Sequence, residues 1–333
     1  MIDAIAKVVR GESLSESEAA AAFETIMRGE ATPSQIAGFV IALRIKGESV
    51  EELTGFARTA RALATPIEVS GDLLDTCGTG GDGLATFNIS TISAIVAAAG
   101  GAKVAKHGNR AASSACGSAD VLEALGVKID PGPAGVARCI EEAGIGFLFA
   151  PVFHPSFRFA AVPRKELGVR TVFNILGPMC NPAHAKFQAL GVADAKMAPK
   201  MADVLIRLGV ERAIVFCAGD GMDELSVSGP SHVIEIDGTR REYELDPTTL
   251  GLARSPQTEM RGGAPQENAR IAREVLDGAK GPKRDVVLLN AAAALRAAGI
   301  ARDWKEGIAC AADAIDSGKA GRVLETWARI SQE

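Results

Sequence analysis

The sequence predicts an α/β protein: an N-terminal helical domain, then a larger α/β domain with a mainly parallel central sheet and an antiparallel hairpin element. Three observations carry this. Residues 1–65 show helical periodicity only. From about residue 70, short apolar runs alternate with Ala-rich helical stretches, the grammar of βα units. Asp237-Gly238 separates two strand-like runs, a hairpin signal.

The helical part has local start signals. Thr32-Pro33-Ser34-Gln35 forms a capping box with Pro at the first helical position, so the orphan N–H groups there find acceptors. Ile36, Phe39, Val40 and Leu43 follow at i, i+3, i+4, i+7 and make one apolar face, which Gly47 ends. Ser49 with Glu52 repeats the box, and Leu53, Phe56 and Ala57 give the next buried stripe. Farther on, the runs 102–105, 146–150, 189–192 and 213–217 read as strands, with 233–236 and 241–245 as the hairpin. Pro155, Pro163, Pro178 and Pro182 break the region 154–183 into short helices and loops, an excursion expected to pack back on the helical domain. The expected division is 1–68 for the helical domain, joined by about 160–183, and 70–159 with 184–333 for the α/β domain.

Composition excludes several classes. Among 333 residues only 5% are aromatic, with a single Tyr, and the net charge is −5. A stacking platform or a protein devoted to polyphosphate backbone is therefore not expected, and no nucleic-acid partner is. The longest uncharged run, 83–102, carries Asn, Ser and Thr inside it, so no membrane span is expected. The start carries Asp3 and Lys7 and no apolar signal-peptide core, and the six cysteines show no CxxC spacing. A cytoplasmic protein with reduced thiols is the expectation.

The chemistry-bearing stretch is Asp75-Thr-Cys-Gly-Thr-Gly-Gly-Asp-Gly83, after an apolar run and before a helix. Gly78, Gly80 and Gly83 satisfy G-x-G-x-x-G, but no acid stands between Leu84 and Ala119, where a dinucleotide site needs one for the ribose. Lys103 and Lys106 stand there instead, so the dehydrogenase reading fails. What remains is an anion site. Glycines admit oxyanions close to backbone N–H groups, and a helix start adds partial positive charge. Thr86, Asn88, Ser90 and Thr91 surround that start as caps and donors. Lys106-His107-Gly108-Asn109-Arg110 follows the next run, placing it at a strand's carboxyl end, with Ser113, Ser114 and Ser118 beyond, Ser118 as a cap. Any one of these is a turn, a cap or a solvated charge. Together they predict two phosphate groups on one ligand. Asp223 and Glu224, in a glycine-rich loop after the run 213–217, can turn together toward one hard cation. No G-x-S-x-G, HExxH or Cys/His metal spacing supports a hydrolase or zinc site.

With these residues in view, the sequence resembles the anthranilate phosphoribosyltransferase family. The likeness rests on Asp75–Asp82, Phe87-Asn-Ile-Ser-Thr91, Lys106-His-Gly-Asn-Arg-Ala-Ala-Ser-Ser114, Arg170-Thr-Val-Phe-Asn-Ile-Leu-Gly-Pro178, Asp223-Glu-Leu-Ser226 and Leu289-Asn-Ala-Ala-Ala-Ala294, in the family's order. It implies transfer of a phosphoribosyl group from phosphoribosyl pyrophosphate (PRPP) to anthranilate, in tryptophan biosynthesis, by a homodimer joined through its helical domains. It further implies that Gly78, Gly81, Asp82, Thr86, Asn88, Ser90, Thr91, Lys106, Ser114 and Ser118 hold PRPP. Gly78, Asn109, His154 and Arg164 would meet anthranilate, and Ser90, Asp223 and Glu224 would bind Mg²⁺. His154 matches a family histidine, while the following Ser156-Phe157 departs from the common Ala-Met. Two rivals stand beside this reading: a nucleoside phosphorylase of the same fold family, and a non-catalytic relative that binds nucleic acid.

Overall fold

The computed structural model describes residues 1–111 and 115–333. The chain opens with helices α1 (Ile2–Val9), α2 (Glu16–Met27), α3 (Pro33–Lys46) and α4 (Val50–Ala62). Both expected capping boxes are formed: Gln35 N–H donates to Thr32 Oγ1 and Glu52 N–H to Ser49 Oγ, each at 3.2 Å. A third, Ser15 with Glu18, starts α2. Glu52 does more than cap, since its carboxylate also accepts from the Leu14 N–H and the Lys46 ammonium. Ile36, Phe39, Val40, Leu43, Leu53, Phe56 and Ala57 are all buried, as their spacing requires. Gly47 ends α3 at φ +84, a conformation that favours glycine.

Strands β1 (Leu74–Gly78), β2 (Val104–Gly108), β3 (Ile145–Phe149), β4 (Phe187–Gly191), β5 (Arg212–Ala218), β6 (Ser231–Asp237) and β7 (Thr239–Leu245) form a seven-stranded sheet in the order β3-β2-β1-β4-β5-β6-β7. β1 to β5 run parallel, and β6 and β7 are the antiparallel element turning at Gly238. Connections carry α5 (Ile89–Ala99), α6 (Ser118–Ala124), α7 (Gly132–Ala143) and, beyond β4, α11 (Ala198–Arg207). Between β3 and β4 lie the short helices α8 (Ala150–Phe153), α9 (Ala161–Leu167) and α10 (Val172–Ile175). The chain closes with α12 (Pro265–Leu276), α13 (Pro282–Ala297), α14 (Trp304–Asp316) and α15 (Lys319–Gln332).

Strand alternation divides the core. Ile214 and Phe216 of β5 face the layer made by α5, α13 and α15, while Ala213 and Val215 face the opposite layer. That opposite layer is continuous with the helical bundle. Val172, Phe173, Leu176 and Met179 of the β3–β4 excursion share its core with Phe23, Phe39 and Phe56. Arg61 of α4 adds a polar tie, its Nε donating to the Met179 carbonyl at 2.8 Å.

The strand order reverses between β1 and β4: the chain leaves β1 for β2 and β3 on one side, then returns to β4 on the other. Open α/β sheets bind ligands at the carboxyl ends of the strands that flank such a point.

Candidate active site

A cavity of about 620 Å³ opens at that point, within the range for small-molecule sites. Its floor is the end of β1. Gly78 pairs with Gly191 at the end of β4, and the backbone of Asp223 lies across the pair. A Cβ at Gly191 would fall on the Asp223 carbonyl, and one at Gly78 on the Asp223 carboxylate. Two adjacent glycines therefore set how deeply the acidic loop can sit. Asn290 of α13 fixes that loop from behind, accepting from the Leu225 N–H and donating to the Leu225 carbonyl, each at 2.9 Å. Asp220, the third acid of the loop, is spent on its shape, accepting from the Ser226 and Ser228 hydroxyls at 2.7 and 2.6 Å.

The sequence placed no acid between Leu84 and Ala119, yet acids reach the glycine loop through space. Asp223 accepts from the Gly80 N–H at 2.6 Å, and Glu224 from the Ser90 N–H at 3.0 Å. Burial, then the neighbouring Asp82, push the Asp223 carboxyl up to about 7. Burial, then Asp223, push Glu224 up to about 8. Asp82 Oδ2 is buried, and among the described residues no N–H or hydroxyl donor reaches it. Crowded carboxylates of this kind fit a hard divalent cation, which relieves both desolvation and repulsion. Among the described residues no three acid, His or Cys side chains close a ready-made cage. That fits Mg²⁺, which takes one or two carboxylates and completes its shell with substrate phosphate.

The loop before α5 is strapped to the segment before α12. Phe87 N–H donates to the Met260 carbonyl and Gly262 N–H to the Ala85 carbonyl, each at 3.0 Å. This holds Ala85 at φ +53, strained for a residue with a Cβ. Asn88 occupies the cap position of α5 but makes no cap bond. Its amide donates to the Cys116 carbonyl, and its Oδ1 accepts from Asn268 at 2.9 Å, so it serves as a brace between loops.

Two local expectations are corrected. Lys106 is not beyond a strand but third in β2, buried, with its ammonium donating to the Thr76 carbonyl at 2.5 Å. Burial lowers its pKa, against the pull of Asp75 on the neighbouring strand. Ser118 does not cap its helix: Gly117 holds the cap position, and Asp120 accepts from the Gly117 and Ala111 N–H groups at 2.9 and 3.0 Å.

The opposite wall comes from the β3–β4 excursion and is aromatic. Phe157 packs edge-on against Phe173 and His154, with ring centroids at 5.9 and 5.4 Å. His154 donates from Nε2 to the Cys180 carbonyl at 2.9 Å, and His107 donates from Nδ1 to the Gly177 carbonyl at 3.2 Å. Burial holds both imidazoles neutral, His107 at about 4 and His154 at about 3. Arg164 of α9 lies over the Phe173 ring at 5.2 Å. Among the described residues no acid pairs with its guanidinium, and burial lowers its pKa.

Of the residues singled out from sequence, Gly78, Gly81, Asp82, Thr86, Asn88, Ser90, Lys106, Asn109, Ser118, His154, Arg164, Asp223 and Glu224 line this one cavity. Thr91 does not: it is buried behind the start of α5, its hydroxyl without a partner among the described residues. Ser113 and Ser114 lie outside the described residues.

Comparison with known proteins agrees with this assembly. Residues 2–64 match the glycosyl transferase family helical bundle domain, and residues 70–321 the glycosyl transferase family a/b domain. The chain is 58% identical over 320 residues to anthranilate phosphoribosyltransferase 2 of Streptomyces coelicolor, covering 96% of each. The chain belongs to the anthranilate phosphoribosyltransferase family.

The family's solved structures superpose over nearly the whole chain. The Thermus thermophilus enzyme is 47% identical with a TM-score of 0.95, over 99% of this chain and 100% of that one. The Saccharomyces cerevisiae enzyme, in complex with PRPP and Mg, is 28% identical with a TM-score of 0.92, over 99% and 97%. The sequence alone did not single out Gly191, Asn268 or Phe157, nor the role of Asn290 in fixing the acidic loop. Asn290 stands inside the Leu289–Ala294 motif, whose contact with the Leu225 backbone only the fold reveals.

Proposed function

We propose that this cavity carries out the family's reaction: transfer of the 5-phosphoribosyl group from PRPP to the amine of anthranilate, giving N-(5-phosphoribosyl)anthranilate and pyrophosphate. The observation that carries the assignment is the pairing of two unlike walls. One presents a glycine loop with two crowded carboxylates, and the other an acid-free guanidinium among aromatic rings.

On the first wall, Gly78, Gly81, Asp82, Thr86, Asn88 and Ser90 surround the phosphates and ribose, with Ser118 and the buried Lys106 as further members and Thr91 supporting the helix start. Asp223 and Glu224, with Ser90, hold Mg²⁺. When bound there, the ion supplies counter-charge to the departing pyrophosphate. On the second wall, Arg164 pairs bidentately with the carboxylate of anthranilate, a geometry Lys cannot copy. Asn109 and the neutral His154 border the ring and its amine.

Displacement at C1 builds positive charge on the ribose and negative charge on the leaving group, so the task is positioning and charge stabilisation. The aromatic amine is already neutral at pH 7 and attacks without prior deprotonation by a strong base. That agrees with two histidines held neutral by burial.

A homodimer joined through the helical domains is part of this reading. Ile2 and Val9 of α1 and Ile45 of α3 are exposed at 72, 68 and 82%, apolar side chains of the helical domain that such an interface would cover. Among the described residues no helix is long and apolar enough to cross a membrane, and a cytoplasmic location accords with the pathway. The test is loss of anthranilate fluorescence on adding PRPP, with and without Mg²⁺. Magnesium-dependent loss is expected. Flat fluorescence with calorimetric PRPP binding would keep the phosphate wall and refute the acceptor, turning attention to nucleosides with phosphate.

A further inference from the structure

We propose that Arg170 is a further binding residue for the diphosphate of PRPP, reaching across the mouth of the cavity onto the glycine loop; this rests on the phosphoribosyl reading above. Among the described residues, five cationic side chains line the cavity. Arg110 is held by Asp120 and Glu123. Lys106 is buried against the Thr76 carbonyl. Arg158 and Arg164 lie over the rings of Phe159 and Phe173.

Arg170 is placed differently. Its guanidinium occupies the space that a Cβ at residue 81 would fill, so it rests directly on the bare backbone of Gly81. Gly81 itself has φ +78, which a side chain would strain. Among the described residues the guanidinium makes one hydrogen bond, a long one, Nη2 to the Thr79 carbonyl at 3.4 Å. No acid pairs with it among the described residues, and the residue is exposed. An unspent fork of N–H donors therefore sits on the loop whose glycines admit phosphate oxygens. That fork matches two oxygens of one phosphate. Arg170 also stands between Arg164 and Phe173 in the chain, so its contact would join the donor's loop to the segment that forms the acceptor's wall.

The test compares wild type, Arg170→Ala and Arg170→Lys by calorimetry with inorganic pyrophosphate and with PRPP, each with Mg²⁺, and by steady-state kinetics. Arg170→Ala is expected to weaken pyrophosphate and raise the PRPP KM by about tenfold to a hundredfold, the worth of a charge-assisted pair. The anthranilate KM should move less than about twofold by the same reasoning, and Arg170→Lys should recover part of the loss. A wild type that binds both anions and an alanine variant that binds them equally well would overturn the role of Arg170 alone. A wild type that binds neither would overturn the phosphoribosyl reading and this inference with it.

Discussion

The two walls of the cavity are built by opposite means. The β1 wall is made of backbone: paired glycines, loop N–H groups and carboxylates lowered onto them. The excursion wall is made of side chains: Phe157, Phe173, His154 and Arg164, on short helices seated in the same core as the helical bundle. The difference follows from the ligand groups. Phosphate needs close approach to many donors, which only a stripped backbone allows. A flat aromatic acid needs an apolar slot and one fixed cation.

Breaking the backbone wall should have the largest effect. Gly191→Ala puts a Cβ on the Asp223 carbonyl. Displacing both carboxylates by about 1 Å is expected to lower kcat/KM on the order of a hundredfold, with overpacking costing ~1–3 kcal/mol in an unfolding titration. Unchanged turnover would show that the depth of the acidic loop does not matter.

The buried histidines and the acidic pair should also titrate in opposite directions. His107 and His154 have folded pKa values near 4 and 3, below the ordinary 6.5. The unfolded chain therefore takes protons that the folded chain refuses, and this contribution to stability is lost as pH falls from 6.5 toward 4, by about 1.4 kcal/mol per pH unit for each imidazole at most. Asp223 and Glu224, raised to about 7 and about 8, do the reverse: the folded state binds the extra protons, so acid stabilises it as pH falls from 8 toward 4. In metal-free protein the two oppose, and the melting temperature should change little between pH 6.5 and 5. Asp223→Asn removes part of the compensating side, so its melting temperature should fall more steeply with acid than that of wild type. Parallel curves would contradict the assignment of signs.

The smallest effect is expected far from both walls. Thr32→Ala deletes one capping bond and should cost ~1 kcal/mol of stability, leaving both Michaelis constants unchanged. Kinetic effects there would mean that the bundle transmits strain to the excursion.

The two walls were also unequally legible. The glycine loop is contiguous, and the capping boxes at Thr32 and Ser49 act within four residues, so their chemistry could be read locally. Lys106 was misplaced because an ammonium inside a strand breaks the apolar run. The partners that admit it, the Thr76 carbonyl and Asp75, lie on the neighbouring strand. Ser118 yielded the cap position to Gly117 because Asp120 reaches back to satisfy the N–H groups. Gly191 is an unremarkable residue until its pairing with Gly78 and the loop above it are known. Phe157 takes its setting from Phe173 on a later short helix, and Arg170 from Thr79, 91 positions away, which no periodicity encodes. The acid-free window of the sequence was real along the chain and absent in space.

One cavity has a donor wall and an acceptor wall, and the two can be damaged separately. The direct test is steady-state kinetics on Arg164→Ala and Asp223→Asn side by side, varying anthranilate, PRPP and Mg²⁺. Arg164→Ala should raise the anthranilate KM by about tenfold or more and leave the PRPP KM nearly unchanged. Asp223→Asn should do the converse, shifting the PRPP and Mg²⁺ requirements while sparing anthranilate. Equal shifts for both substrates in both variants would contradict it.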